Sequence, residues 1–577
     1  MSLNYANFIW SVADLLRGSF KAHQYGDIIL PFTVLRRLDC VLAPTKDQVL
    51  VTAAAAKAQD IPVSRGMLRA SASHSLSFWN TSPFDLGKLL GDPDNLAANL
   101  QAYINAFSED VRDIFTHYKM EERLAELDAA DLLLLVTKRF AEVDLSPGAV
   151  PNEDMGHIFE ELIRKFAEAS NETAGEHFTP RDVIELMADL VLTPDDAALT
   201  KPNVVRTIYD PAAGTGGMLS IAEDHIKTLN PTARLTLAGQ EINPQSYAIC
   251  KADLIVKGQP ADAIILGDTL IADGYPTEKT FSYCLSNPPF GVDWKKQRAK
   301  VTEEHKLRGM AGRFGPGLPR VSDGAMLFLL HLISKTKKPT ETDPAGGRAA
   351  IVLNGSPLFT GGAGSGESNI RQWILQRDYL DAIIALPTDM FYNTGIATYI
   401  WVLDTAKAPA RRGKVQLIDA TARSVKMRKS LGSKRNLLGP EDIAWIAREY
   451  GAFHDAEHSK ILPREQFFYR TITVERPLVD AAGEVVKDAK GRPKPDSKLR
   501  DTENVPWDED VNAYFEREVK PFLPDAWIDH AKTKEGCEIP FTRHFYVYKP
   551  PRPLAEIDRD LDEVLGRIRA RLDQVRQ

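Results

Sequence analysis

At 577 residues the chain is too long for a single core and predicts roughly two to four domains. A hydrophobic fraction of 44% with 26% charged residues is ordinary globular composition. A net charge of −8 excludes a surface that holds a polyanion by overall attraction, so any such contact has to be local. No apolar run approaches the ~20 residues of a membrane span. The first residues carry no basic region or cleavage site of a secretory signal. The four cysteines, Cys40, Cys250, Cys284 and Cys537, are dispersed without a CxxC pair. That pattern predicts a reducing cytoplasm, with no disulfide framework and no metal site.

Residues 1–147 predict a helical N-terminal domain, with Leu-rich stretches such as 129–136, and Ser146-Pro-Gly-Ala-Val-Pro-Asn152 marks its boundary. From about 153 to 405, strand and helix patterns alternate, which predicts a parallel α/β sheet. The strands are expected at 204–209, 234–241, 263–268, 281–286, 347–353, 380–386 and 397–403. The chain beyond about 430 reads as irregular, with 478–506 an exposed loop or linker. In the last segment, Leu554, Ile557, Leu561, Val564, Ile568 and Leu572 recur in steps of three and four. That is a coiled-coil-like seam for a partner helix or for its own domain.

The first expected strand runs into Asp210-Pro-Ala-Ala-Gly-Thr-Gly-Gly217, followed by a helix. Gly214, Gly216 and Gly217 allow a sharp turn and close approach to a ligand, and the helix start offers free N–H groups. The loop continues into Met218 and Leu219, so it lacks the Gly-Lys-Ser/Thr of a phosphate loop and the third glycine of a dinucleotide fingerprint. A plain glycine turn remains open. So does S-adenosylmethionine, whose amino-acid end suits such a loop. Glu241 and Asp268 close the next two strands, where one carboxylate can take ribose hydroxyls and the other a base amino group.

The fourth strand ends in Asn287-Pro-Pro-Phe290. Two prolines cannot continue a strand, so they form a stiff exit at the sheet rim. The Asn287 amide oxygen and the Pro288 carbonyl give two acceptors for an exocyclic NH2, Pro289 stiffens the exit, and Phe290 offers a stacking face.

Together these motifs resemble the amino-methylating DNA methyltransferases. Glu176-His177-Phe178-Thr179-Pro180-Arg181, ahead of the glycine loop, is similar to the segment by which the methylation subunit of type I restriction–modification systems closes over its cofactor. Its position matches the gamma order of motifs. The stretches 25–40 and 515–527 resemble the same subunit's flanks, so the resemblance spans nearly the whole chain. It implies a Rossmann-like class I methyltransferase sheet with a helical N-terminal domain (1–147), a catalytic domain (148–430) and a C-terminal region (431–577). It implies transfer of a methyl group from S-adenosylmethionine to the 6-amino group of a flipped adenine. Cofactor contacts are expected from residues 176–181, Asp210, Gly214, Thr215, Gly216, Gly217, Glu241 and Asp268. The implied partners are double-stranded DNA and a specificity subunit, bound by two copies of this chain, with room for a restriction subunit. A protein-glutamine methyltransferase and a silent scaffold subunit are the alternatives, and cytosine N4 methylation is chemically close. Two basic segments flank the motif. Residues 291–320 hold eight Lys/Arg against three acids and are expected to form a mobile loop, and residues 404–435 hold ten against two. Both are candidates for phosphate contact.

Overall fold

The computed structural model describes residues 2–72, 76–170, 179–392, 394–548 and 552–576. It divides into two units, Met1–Ile539 and Pro540–Gln577. In the first unit, a set of helices leads from Ser2 to Ser170. Its core is the nearly all-buried helix Tyr25–Leu42, joined by Tyr103, Phe115, Phe140 and, further on, Ile158, Leu162 and Phe166. Ala248, Ile249, Ala252 and Ile255 of helix Pro244–Val256 complete that cluster, so the helical core and the sheet region share an apolar seam.

The main sheet has nine strands. In chain order the first eight are β1 (Val205–Asp210), β2 (Arg234–Glu241), β3 (Ile264–Leu266), β4 (Tyr283–Ser286), β5 (Arg348–Asn354), β6 (Leu380–Ala385), β7 (Thr398–Asp404) and β8 (Lys414–Asp419). A separate hairpin, β9 (Val425–Leu431) with β10 (Lys434–Leu437), precedes the ninth, β11 (Ser459–Pro463). The spatial order is β11-β8-β6-β7-β5-β4-β1-β2-β3. Strands β3, β2, β1, β4 and β5 run parallel, and β7 lies antiparallel between β5 and β6. Strands β6 and β7 are buried at every residue, the near-continuous apolar run that a sheet covered on both faces requires. Helix Arg181–Leu192 covers one face with Val183, Ile184, Leu186, Met187, Leu190 and Val191.

From β1 the chain winds outward to β2 and β3, then returns to β4 on the other side of β1. The carboxyl ends of β1 and β4 therefore flank the point where the winding reverses, and ligands bind there in open α/β sheets.

The expected strands lie within a few residues of the observed ones. The region beyond 430 is more ordered than its sequence suggests. It contains the β9–β10 hairpin, helix Pro440–Ala452 and a four-stranded sheet of β12 (Phe468–Glu475), β13 (Asp501–Pro506), β14 (Trp527–Ile528) and β15 (Lys534–Cys537). This sheet packs on its own core of Ile472, Val474, Val505, Phe515, Val519 and Ala526. Residues 478–500 are mostly exposed, as expected of a linker, whereas 501–506 belong to β13. The second unit comprises helices Phe541–Phe545 and Leu554–Arg576.

Candidate active site

A cavity of about 410 Å³ opens at the carboxyl ends of β1, β2, β3 and β4. Its lining joins the glycine loop (Asp210, Gly214, Thr215, Gly217), both strand-end acids (Glu241, Asp268) and the rim motif (Asn287, Pro289). Thus the structure brings together four sequence segments that the motifs placed separately.

Asp210 is buried, and its carboxylate accepts the Ala212 N–H at 2.9 Å, which folds the loop back over the strand end. Burial pushes its carboxyl up to about 7, and the neighbouring Glu241 charge adds to the rise while the Ala212 N–H opposes it. Glu241 accepts the Gly214 N–H on one oxygen and the Asn243 N–H on the other, both at 2.7 Å. It therefore shapes the loop as well as facing the cavity, and each carboxylate oxygen keeps acceptor capacity for a ligand hydroxyl. Asp268 accepts the Leu270 N–H at 2.9 Å and the Gln297 side-chain amide at 2.8 Å.

Gly216 stands behind the cavity wall. It is absent from the cavity lining and sits at φ +87°, and a Cβ there would lie 2.8 Å from the Cys250 sulfur. Its φ serves the turn, and its lack of a Cβ allows close packing on helix Pro244–Val256. Helix Gly217–Leu229 starts immediately afterwards.

At the rim, the Asn287 side-chain N–H donates to the Thr179 hydroxyl at 2.9 Å. Its Oδ1 is buried and has no hydrogen-bond partner among the described residues. Leaving a buried acceptor unpaired costs about 1–3 kcal/mol, so this amide is held ready for a donor from outside. Thr179, expected on the cofactor, lies against Asn287 and also lines the cavity. Pro180 is buried and caps helix Arg181–Leu192, while Arg181 lines a smaller neighbouring pocket with Thr215 and Gly217. Glu176, His177 and Phe178 lie outside the described residues. Pro288 and Phe290 are not part of the lining, and the Phe290 ring meets Phe391 edge-on at 5.6 Å.

Two features escaped the sequence reading. Glu160, from helix Asn152–Ser170, reaches the cavity, and burial pushes its carboxyl up to about 7 against the pull of Arg181. On its amphipathic helix it reads as a surface acid, and no local signal marks it. The basic segment after the rim motif is also no free loop. Phe314 is fully buried, and Arg313 turns inward to Glu304, the Thr269 and Leu270 carbonyls and His331. Trp294 and Gln297 from this segment wall the cavity. His331, wholly buried, is held well below its usual pKa by burial and by the Arg313 charge.

Five carboxylates (Glu160, Asp210, Glu241, Asp268, Asp293) face the cavity, and Lys296 is the one basic residue in its lining among the described residues. Such a lining repels phosphates and suits a cationic ligand. S-adenosylmethionine, which carries a sulfonium and an ammonium, fits these residues, whereas a dinucleotide does not. Among the described residues no group of side chains has the makings of a metal site.

A family model described as N-6 DNA Methylase matches residues 151–466, and one described as the HsdM N-terminal domain matches residues 5–140. Among curated relatives, the type I restriction enzyme MjaIX methylase subunit of Methanocaldococcus jannaschii is 24% identical over 477 residues, covering 78% of each chain. The EcoKI methylase subunit of Escherichia coli is 28% identical over 265 residues, 43% of this chain and 44% of the relative. Among solved structures, a type I restriction–modification methyltransferase subunit from Streptococcus thermophilus has a TM-score of 0.62 at 22% identity, over 81% of this chain and 96% of the other. At that identity the structural match shows a shared fold.

Proposed function

Given that this chain belongs to the N-6 DNA methylase family, we propose how its own residues carry out that family's reaction. The chain is a methylation subunit of the type I restriction–modification kind, an adenine-N6 DNA methyltransferase with S-adenosylmethionine as methyl donor. When bound, S-adenosylmethionine supplies an electrophilic methyl group. The glycine loop with Glu241, Asp268 and Glu160 holds it, and the cluster of carboxylates favours its positive charge.

The observation that carries the assignment of roles is the buried Oδ1 of Asn287, without a partner among the described residues. Adenine's 6-amino group has two N–H donors, and its lone pair is delocalised into the ring. A hydrogen bond to Asn287 Oδ1, with a second to the Pro288 carbonyl, favours a pyramidal nitrogen whose lone pair is available for transfer. This is positioning plus electrostatic stabilisation, with no covalent enzyme intermediate. Thr179 fixes which end of the Asn287 amide faces the base. The proton leaves to water. A base cannot be reached inside a duplex, so it is taken out of the stack at a cost of a few kcal/mol.

The partner reading rests on the terminal helix. Along Leu554–Arg576, Leu554, Ile557, Leu561, Val564, Leu565, Ile568 and Leu572 are all exposed. An apolar stripe of this size marks an interaction surface. We assign it to a helix of a specificity subunit that contacts two copies of this chain and reads the DNA sequence, with a restriction subunit able to join. The three-part division at 147 and 430 belongs to the same reading. The test is transfer of labelled methyl groups to DNA by this chain with and without its specificity subunit, beside a chain truncated before Leu554. Truncation should abolish assembly and leave cofactor binding intact. Assembly by the truncated chain would refute the role of the helix.

A further inference from the structure

The structure separates the two basic segments. Between 291 and 320, Lys295, Lys300, Arg313 and Arg320 pair with Asp293, Glu303, Glu304 and Asp323. Between 404 and 435, Lys407, Arg411 and Lys434 pair with Asp378, Asp381 and Asp182. In the first segment Lys296, Arg298, Lys306 and Arg308 are also exposed, but beside Asp293, Glu303 and Glu304, whereas the β9–β10 ribbon has no acid of its own. Lys426, Arg428, Lys429 and Arg435 are exposed, and none has an ion-pair partner among the described residues. No acid occurs between 420 and 440.

The ribbon is fastened to the segments that hold the rim motif. The Ser433 N–H donates to the Tyr392 carbonyl at 2.8 Å, the Arg435 N–H to the Asp389 carbonyl at 2.9 Å, and the Asn436 side chain to the Thr388 carbonyl at 3.0 Å. These bonds grip the loop whose Phe391 meets Phe290. On the other side, Asp182 accepts from Lys434 and, at 2.8 Å, from the Leu438 N–H. Asp182 lies three residues after Thr179, the partner of Asn287. The ribbon's charge is thus carried on a framework tied to both halves of the rim.

We propose that the β9–β10 ribbon is an arm that contacts duplex phosphates beside the target adenine, through Lys426, Arg428, Lys429 and Arg435. The inference rests on the DNA-methylating reading above. With a net charge of −8, attraction to DNA has to be local, and this ribbon concentrates four cations, unpaired among the described residues, beside the rim. An acidic protein surface would satisfy the charges equally, but the framework that carries them serves the rim, where the substrate is a polyanion.

The test replaces all four residues by Ala in the full chain, assembled with its specificity subunit. Binding to a short random-sequence duplex is followed across a salt series. Each lost phosphate contact lowers the slope of log K against log salt by about 0.9, so four lower it by about 3.6. We expect a fall of roughly 2 to 3.6 in that slope, with weaker DNA binding and a higher KM for DNA. S-adenosylmethionine affinity serves as the check on the fold. An unchanged slope and DNA affinity would overturn the proposal, as would loss of subunit assembly with DNA affinity retained, which would make the ribbon a protein-docking site. The wild-type complex is assayed in parallel. If it methylates DNA while the variant keeps wild-type DNA binding, the ribbon proposal alone fails. If it transfers no methyl group to DNA, the site reading fails.

Discussion

Replacing Thr179 by Val should slow methyl transfer and spare cofactor binding. The Thr179 hydroxyl accepts from Asn287 Nδ2 at 2.9 Å, while Asn287 Oδ1 is buried without a partner among the described residues. Valine keeps the shape and removes the acceptor that distinguishes the two ends of the amide. A neutral hydrogen bond of this kind contributes about 0.5–1.5 kcal/mol net, which corresponds to about a 2- to 13-fold loss in rate. Asn287→Ala removes the acceptor itself and should cost about 10²- to 10³-fold, the usual loss for one group aimed at a transition state. Because Thr179 acts through Asn287, adding Thr179→Val to Asn287→Ala should change little further, and a double-mutant cycle measures that coupling. The assay is single-turnover transfer of labelled methyl groups by the complex, with calorimetry for S-adenosylmethionine affinity. Additive losses, or an unchanged rate with weakened cofactor affinity, would refute the role given to Thr179.

Glu241→Gln should weaken S-adenosylmethionine binding by about tenfold or more, since two backbone N–H groups lose a charged acceptor. Unchanged calorimetric affinity would remove Glu241 from the site. Gly216→Ala should destabilise the fold by about 1–3 kcal/mol through strain at φ +87° and the Cys250 contact. Adding Cys250→Ala should restore part of that loss in urea unfolding, and no restoration would contradict the packing. Asp210 and Glu160, both raised to about 7, bind protons in the folded chain that the unfolded chain has already lost. Stability from these groups therefore falls as pH rises from their unfolded values towards 7. A cationic ligand favours their ionised forms, so affinity for S-adenosylmethionine should rise across the same window with proton release. Titration calorimetry in buffers of different ionisation heat checks this, and zero proton release near neutral pH would contradict it.

The strands, the glycine loop and the rim motif were legible because glycine and proline mark strand ends by local backbone chemistry, independent of what packs nearby. Asp210, Gly214, Glu241, Asp268 and Asn287 could therefore be named from order and spacing, and the structure places all of them around one cavity. The Thr179–Asn287 bond could not be read, because it joins residues 108 positions apart. Glu160 was hidden because a helix presents one acid in each turn to solvent as a matter of course. The segment 291–320 read as mobile because its glycines and charges dominate its composition, yet one buried ring, Phe314, and one inward guanidinium, Arg313, fasten it. The four-stranded sheet beyond residue 467 was missed because its strands are short and separated by a long exposed insertion.

The most direct test of the central claim is base analysis of DNA labelled from S-adenosylmethionine by the complex of this chain with its specificity subunit. The site described here predicts label in N6-methyladenine, and a loss of about 10²- to 10³-fold in the Asn287→Ala complex. Label in N4-methylcytosine or in protein glutamine, or undiminished adenine methylation by Asn287→Ala, would contradict it.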